Sequence, residues 1–332
     1  MIKKIAETAW HHEGDYNFMQ ALVNSLIDNG KEELIKCHLT FDLTNYMLSD
    51  HPAFEALSQR MITQEQWKQI LHIITGSQKS LMLLYNDIEA VEFGQAFYPQ
   101  LLEVHAVNLN NINLLDAIKQ NRQKNQKVVI GIGGSSLEEI DAAINRLDTS
   151  NIILMFGFQN YPTQYDKINF ARMRRIMNLY PELEYGYADH CGYDEPHNLL
   201  ISLLGAAQGC QYVEKHVTTH FGEKRCDYEA AISIEMLNEL KTKLDILQQC
   251  TGDGGLPLST DEKKYRQFGL MKSLAMTTCE IKTGTELKQD MIQFVRTSQT
   301  SDMSQLDIEQ HLGQKVTTDI PANTPLSFKH FQ

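Results

Sequence analysis

The chain has 332 residues, 42% hydrophobic and 22% charged, with a formal net charge of -12. Such totals describe an ordinary globular protein with room for a large core and a smaller second domain. The acidic balance argues against binding nucleic acid or an anionic membrane, both of which need excess Lys and Arg. With no apolar run of membrane-spanning length and Glu7 interrupting the N-terminal stretch, a cytoplasmic protein is expected. Six cysteines with no C-x-x-C pair read as reduced thiols, and Cys191 and Cys226 as a core and a surface thiol.

In chain order, short apolar runs predict strands over 3–10, 33–40, 80–86, 101–109, 127–133, 152–158, 184–190 and 212–219. Val128-Val129-Ile130 and Ile152-Ile153-Leu154-Met155-Phe156 are continuous apolar stretches, as in strands covered on both faces. Amphipathic patterns such as 66–74 and 136–144 lie between them. Eight such units over about 250 residues match a closed (β/α)8 TIM barrel, class α/β; an open doubly wound sheet shares the local pattern but not the count. The barrel is expected over 1–255. Thr251 to Pro257 is turn-rich, 256–274 reads as a linker, and 275–332 as a small β-rich domain with pieces at 273–281, 291–295 and 314–320.

Parallel strands in a barrel present their carboxyl ends on one face, where polar side chains converge. The strands at 184–190 and 212–219 end at His190 and His216, which with Asp189 and Asp227 nearby could hold a divalent metal; their plainer role is as hydrogen-bonded core histidines. Glu7 ends the first strand and suits a base or a hydroxyl-binding group, an ion pair with Lys36, or both. His11 and His12 fit either a positioning role at the barrel mouth or a solvent-exposed loop. Gly131 to Ser136 forms a tight strand-to-helix turn able to contact an anion, without the spacing of a dinucleotide site. Arg172, Arg174 and Arg175 read as a solvated outer face. Tyr161 would stack on a substrate or pack on Pro162.

A series of collinear motifs resembles the sialic acid (N-acetylneuraminate, nonulosonic acid) synthase family. Glu7 to Gly14 resembles its E-x-x-x-N-H-x-G opening, and Lys36 its V-K-x-Q lysine. Gly133 to Glu139 resembles its T-G-M-x-[ST]-x-x-E-I turn, and Tyr161-Pro162-Thr163 its Y-P-T. Gly186 to His190 is similar to G-x-S-D-H, Glu214 to Thr218 to E-[KR]-H-[FI]-T, and Asp227 to the aspartate that follows. Lys272 to Ala275 and Ile281 to Thr285 resemble the opening of the family's antifreeze-like (SAF, β-clip) domain.

The resemblance implies a synthase condensing phosphoenolpyruvate with an amino-sugar aldehyde to give a sialic-acid-like nonulosonic acid. It implies a metal, manganese first and magnesium or zinc next, on His190 and His216. Glu7, Lys36 and Asp227 would be catalytic, Lys36 taking the phosphate or carboxylate of phosphoenolpyruvate. His12, His38, Asn108, Gln159, Tyr161, Asp189, Lys272 and Arg296 would bind substrate. A homodimer is implied in which Arg296 of the SAF domain reaches the partner's barrel. The chain departs from the family at the phosphate site: the fourth-strand lysine is Glu103, its serine Ala106 and the following glutamate Asn108, while the serine of G-x-S-D-H is Ala188. A one-residue slip would instead bring His105 toward the lysine's place. Two other readings therefore stand, an aldolase or lyase on another sugar or keto acid that does not use phosphoenolpyruvate, and a non-catalytic sugar-binding paralogue.

Overall fold

A computed structural model describes residues 2–148, 150–157 and 160–332. Eight strands pair in parallel in chain order: β1 (Lys3–Glu7), β2 (Leu34–Leu39), β3 (Ser80–Tyr85), β4 (Leu101–Val104), β5 (Lys127–Gly131), β6 (Ile152–Phe156), β7 (Glu184–Asp189) and β8 (Tyr212–Thr218). β8 returns to pair with β1, so the sheet closes into a (β/α)8 barrel. A helix follows each strand, at Tyr16–Asn29, Gln64–Thr75, Ile88–Gln95, Ile112–Asn121, Leu137–Leu147, Phe170–Leu179, Asn198–Ala206 and Ile234–Thr251.

Local sequence explains these helices. Thr63 and Gln66, and again Ser136 and Glu139, form reciprocal capping boxes that satisfy the first free amides. Trp67, Ile70, Leu71 and Ile74 recur at helical spacing and are the buried residues of Gln64–Thr75. The strands are shorter than the apolar runs suggested, for the same kind of reason. β4 stops at Val104 rather than 109 because His105 caps a 3-10 turn over Ala106–Asn108, its Nδ1 accepting from the Val107 amide at 3.4 Å. β1 ends at Glu7, and Ala9 turns the chain in the left-handed region.

The barrel interior is layered by the two-residue period of its strands. Ile5, Leu34, Leu101 and Tyr212 belong to an apolar interior cluster with Met82, Val129, Ile153, Met155 and Ala188. Two residues further along the same strands stand Glu7, Lys36, Glu103 and Glu214, all buried. Another step of two reaches His38, His105 and His216, with His190 two residues beyond Ala188.

The chain divides into two compact units, Met1–Gly252 and Asp253–Gln332. In the first, a two-residue strand β9 (Ile232–Ser233) extends β8. The second contains the helix Thr260–Lys264 and an antiparallel pair, β10 (Leu274–Thr277) and β11 (Ile292–Val295). Its own core is built from Ala275, Ile281, Leu287, Ile292, Met303, Ile308, Val316, Ile320 and Leu326. The piece expected as a strand over 314–320 contributes isolated bridges, Glu286 with Lys315 and Ile281 with Ile320, and the helix Gln305–His311 lies in a stretch where no helix was expected. Among the described residues no helix is long and apolar enough to cross a membrane.

Gly157 joins the end of β6 to the site at φ +110, and a Cβ there would lie 2.0 Å from the Ala188 carbonyl oxygen. We expect Gly157→Ala to cost about 3 kcal/mol or more in urea unfolding, since backbone rather than a flexible side chain must yield. A midpoint equal to wild type would refute this close approach of β6 and β7.

Candidate active site

The carboxyl ends of the strands surround a cavity of about 380 Å³. Its inner end is the charged layer. Lys36 Nζ lies 2.7 Å from Glu7 Oε2, 2.5 Å from Glu103 Oε2 and 2.9 Å from Glu214 Oε1, and all four side chains are buried. Burial opposes the charge of Lys36, yet Glu103, Glu214 and Glu7 outweigh it and hold the ammonium well above its ordinary range. Burial also opposes ionisation of Glu7, but His38 (Nε2 to Oε2, 3.1 Å) and Lys36 hold its carboxyl well below the usual range. Glu214 lacks that surplus of cations. Burial pushes it up to about 8 against the pull of Lys36, so it keeps its proton at neutral pH. Burial raises Glu103 in the same direction.

At the outer layer His190 and His216 stand with ring centroids 5.0 Å apart, and Tyr161 lies 5.7 Å from each ring. His190 Nδ1 faces the Ala188 carbonyl oxygen at 3.0 Å, which can only accept, so the proton sits on Nδ1 and the lone pair on Nε2. The Tyr161 hydroxyl donates to the Asp227 carbonyl oxygen and lies 3.5 Å from His216 Nδ1, which favours the same tautomer there. Burial holds His190 down at about 4, and burial with the neighbouring His190 holds His216 well below its ordinary value. Two neutral imidazoles with Nε2 lone pairs suit a divalent ion. Among the described residues no group of three His, Cys, Asp or Glu side chains is arranged to hold a metal. The donor set therefore fits an ion that leaves positions open to water and substrate, not a closed structural zinc centre.

Of the residues singled out in the sequence, Glu7, Lys36, His38, Tyr161, His190, His216 and Asp227 all line this cavity. Asp227 is held in place by the Trp10 amide, which donates to its Oδ2 at 3.0 Å. Asp189 does not belong to the cavity. Alternation along β7 and β8 turns Asp189 and Lys215 away from the interior, where they pair at 3.2 Å and Ser202 Oγ donates to Asp189. His12 is also displaced from its expected role. Its Nδ1 accepts from the Gly14 amide at 3.0 Å and its ring stands edge-on to Trp67, so it braces the loop after β1. Asn108 is buried in the turn after β4 and is not among the lining side chains. Gln159 lies outside the described residues. Lys272 and Arg296 belong to the second unit, where Arg296 Nη2 donates to the Leu270 carbonyl at 2.8 Å.

Glu214, His105, Trp10 and Phe156 line the cavity without having been singled out as site residues. The signal for two of them was present: Glu214 and His216, like Glu103 and His105, are two apart on one strand or its end and share a face. Arg172 Nη2 donates to the Ser135 carbonyl at 3.0 Å, tying an outer helix to the turn after β5.

Residues 36–255 match the model of the NeuB family. An N,N'-diacetyllegionaminic acid synthase of Campylobacter jejuni is 24% identical over 334 residues, covering 94% of this chain and 95% of that protein. A sialic acid synthetase of Leptospira borgpetersenii, solved in complex with citrate, has a TM-score of 0.72 at 21% identity, over 80% of this chain and 90% of that one. A chain named as spore coat polysaccharide biosynthesis protein E of Chromobacterium violaceum has a TM-score of 0.79 at 17% identity, covering 100% of both chains. At these identities the two solved structures speak to the fold alone.

Burial holds both His12 and His105 at about 3. In the unfolded chain each takes a proton below about pH 6.5, while in the folded chain each stays neutral until far lower. The stability they carry is complete above that pH and falls as pH drops toward 3, by about 2 kcal/mol each at pH 5. We expect urea midpoints to fall from pH 7 to pH 5, and His12→Gln with His105→Gln to flatten that fall. An unchanged slope in the double variant would contradict their burial as neutral rings.

Proposed function

Because the chain belongs to the NeuB family, we propose that it is an enzyme making a carbon–carbon bond at an amino-sugar aldehyde, of the kind that yields a sialic-acid-like nonulosonic acid. One observation carries this beyond family membership: two buried neutral imidazoles, His190 and His216, stand side by side in a cavity that also holds Glu7, Tyr161 and Asp227. A divalent ion there, manganese first and magnesium or zinc next, would polarise the aldehyde oxygen and make its carbon electrophilic. The chain's own residues orient the sugar. Glu7, held ionised, accepts hydrogen bonds from hydroxyls or takes a proton, and Asp227 offers a second acceptor. Protonated Glu214 can return a proton at neutral pH.

The resemblance to the family makes phosphoenolpyruvate the three-carbon donor. A second reading, an aldolase or lyase on another sugar or keto acid without phosphoenolpyruvate, is favoured by the enclosure of Lys36 within three carboxyl side chains. Under either donor the second unit is proposed as an SAF-like domain, with the chain working in the cytoplasm as a homodimer and Arg296 contacting the sugar across it.

Titration of Mn²⁺ into the full-length chain by calorimetry tests the common part. We expect one saturable site, lost in His190→Ala/His216→Ala. The absence of metal binding would remove both catalytic readings and leave a non-catalytic sugar-binding protein.

A further inference from the structure

Among the described residues lining the cavity, Lys36 is the one Lys or Arg, against carboxyl groups from Glu7, Glu103, Glu214 and Asp227. An ammonium has three hydrogens to donate. Lys36 Nζ donates to Glu214 Oε1 at 2.9 Å and stands in ion-pair range of Glu7 at 2.7 Å and Glu103 at 2.5 Å. A phosphate arriving at the inner end would have to displace one of these carboxylates, or sit beside them with no donor from Lys36. Repulsion between like charges is strong where water is scarce.

The helix N-terminus nearby also carries its own side-chain cap. The turn after β5 leads into a helix N-terminus, but the Ser136 amide donates to Glu139 Oε2 at 2.8 Å and the Glu139 amide to Ser136 Oγ, so that end is capped by its own side chains. What the inner end does present is carboxyl oxygens, on Glu7, Glu103 and Glu214, and Glu214 Oε2 is buried with no hydrogen-bond partner among the described residues.

Of the three carboxyl groups on Lys36, Glu7 is further committed to the Ala9 amide at 2.7 Å and to His38. Glu103 comes from β4, two strands round the barrel from Lys36, and makes the closest approach to the ammonium. We propose that Glu103 is a built-in anion that occupies Lys36 and determines specificity, closing the inner end of the cavity to phosphate-bearing ligands and leaving it to a non-phosphorylated ligand rich in hydroxyl or N–H donors. This deepens the functional proposal above, since it rests on this cavity being the substrate site and selects the donor class.

The test is calorimetry with two probes, inorganic phosphate and phosphoenolpyruvate, titrated into the full-length chain with and without Mn²⁺. We expect no saturable heat from wild type up to about 10 mM of either probe. Glu103→Lys, with a second ammonium in place of the carboxylate, should bind phosphoenolpyruvate with sub-millimolar Kd. Glu103→Gln, nearly the same shape, should gain at least about tenfold over wild type and serves if the lysine variant does not fold. Saturable sub-millimolar binding of phosphoenolpyruvate to wild type would overturn the proposal, as would folded variants that gain nothing. The outcomes separate from those of the metal titration. Loss of the metal site leaves an anion gain in Glu103→Lys readable, and a failed anion gain leaves the metal site intact.

Discussion

A single buried ammonium organises this barrel. Lys36 reaches from β2 into the interior and draws Glu7 from β1, Glu103 from β4 and Glu214 from β8 to within hydrogen-bonding distance. Lys36 and its three carboxyl partners are tolerable at this depth only together. Removing one partner from such a buried group costs about 3–5 kcal/mol, because the remainder is left uncompensated in a low-dielectric interior. The cluster also sets the protonation states above it. It keeps Glu7 ionised at neutral pH, while Glu214, the carboxyl left over, retains its proton. The cavity floor is thus one cation enclosed by carboxyl groups, beneath the histidines at the rim.

A two-residue period links this layer to the fold. Ile5, Leu34, Leu101 and Tyr212 pack the interior below, and the next inward position on each of their strands carries a charge. Sheet closure brings these positions together: Glu7 is in register with Lys36 on one side and His216 on the other. A slip of one residue in either pairing would turn Lys36 or His216 out of the barrel.

Much of this was legible in the sequence. Eight apolar runs alternating with amphipathic segments set the strand count and order, because each run is buried on both faces and each helix on one. The meeting of His190 and His216 was legible because both lie at or near the carboxyl ends of strands. The failures came from side-chain parity. Asp189 precedes His190 in the chain, and adjacency suggested a shared site, but neighbouring residues on a strand point to opposite faces, so Asp189 pairs with Lys215 outside. His12 was misplaced because a loop gives no period from which to read a direction. In the second unit the stretch at 314–320 forms bridges rather than a strand, since its apolar residues Val316 and Ile320 are four apart and serve the core without continuous pairing.

The match over residues 36–255 places the chain in the NeuB family, and a legionaminic acid synthase resembles it over nearly the full length. Its own residues set His190 beside His216 at the rim of a cavity and enclose Lys36 among carboxyl groups. Diffraction from Mn²⁺-soaked crystals of the full chain, collected at the manganese edge, tests this combination most directly. The account requires an anomalous peak between His190 and His216, with Lys36 still enclosed by Glu7, Glu103 and Glu214. A peak elsewhere, no peak, or a Lys36 turned free into the cavity would contradict it.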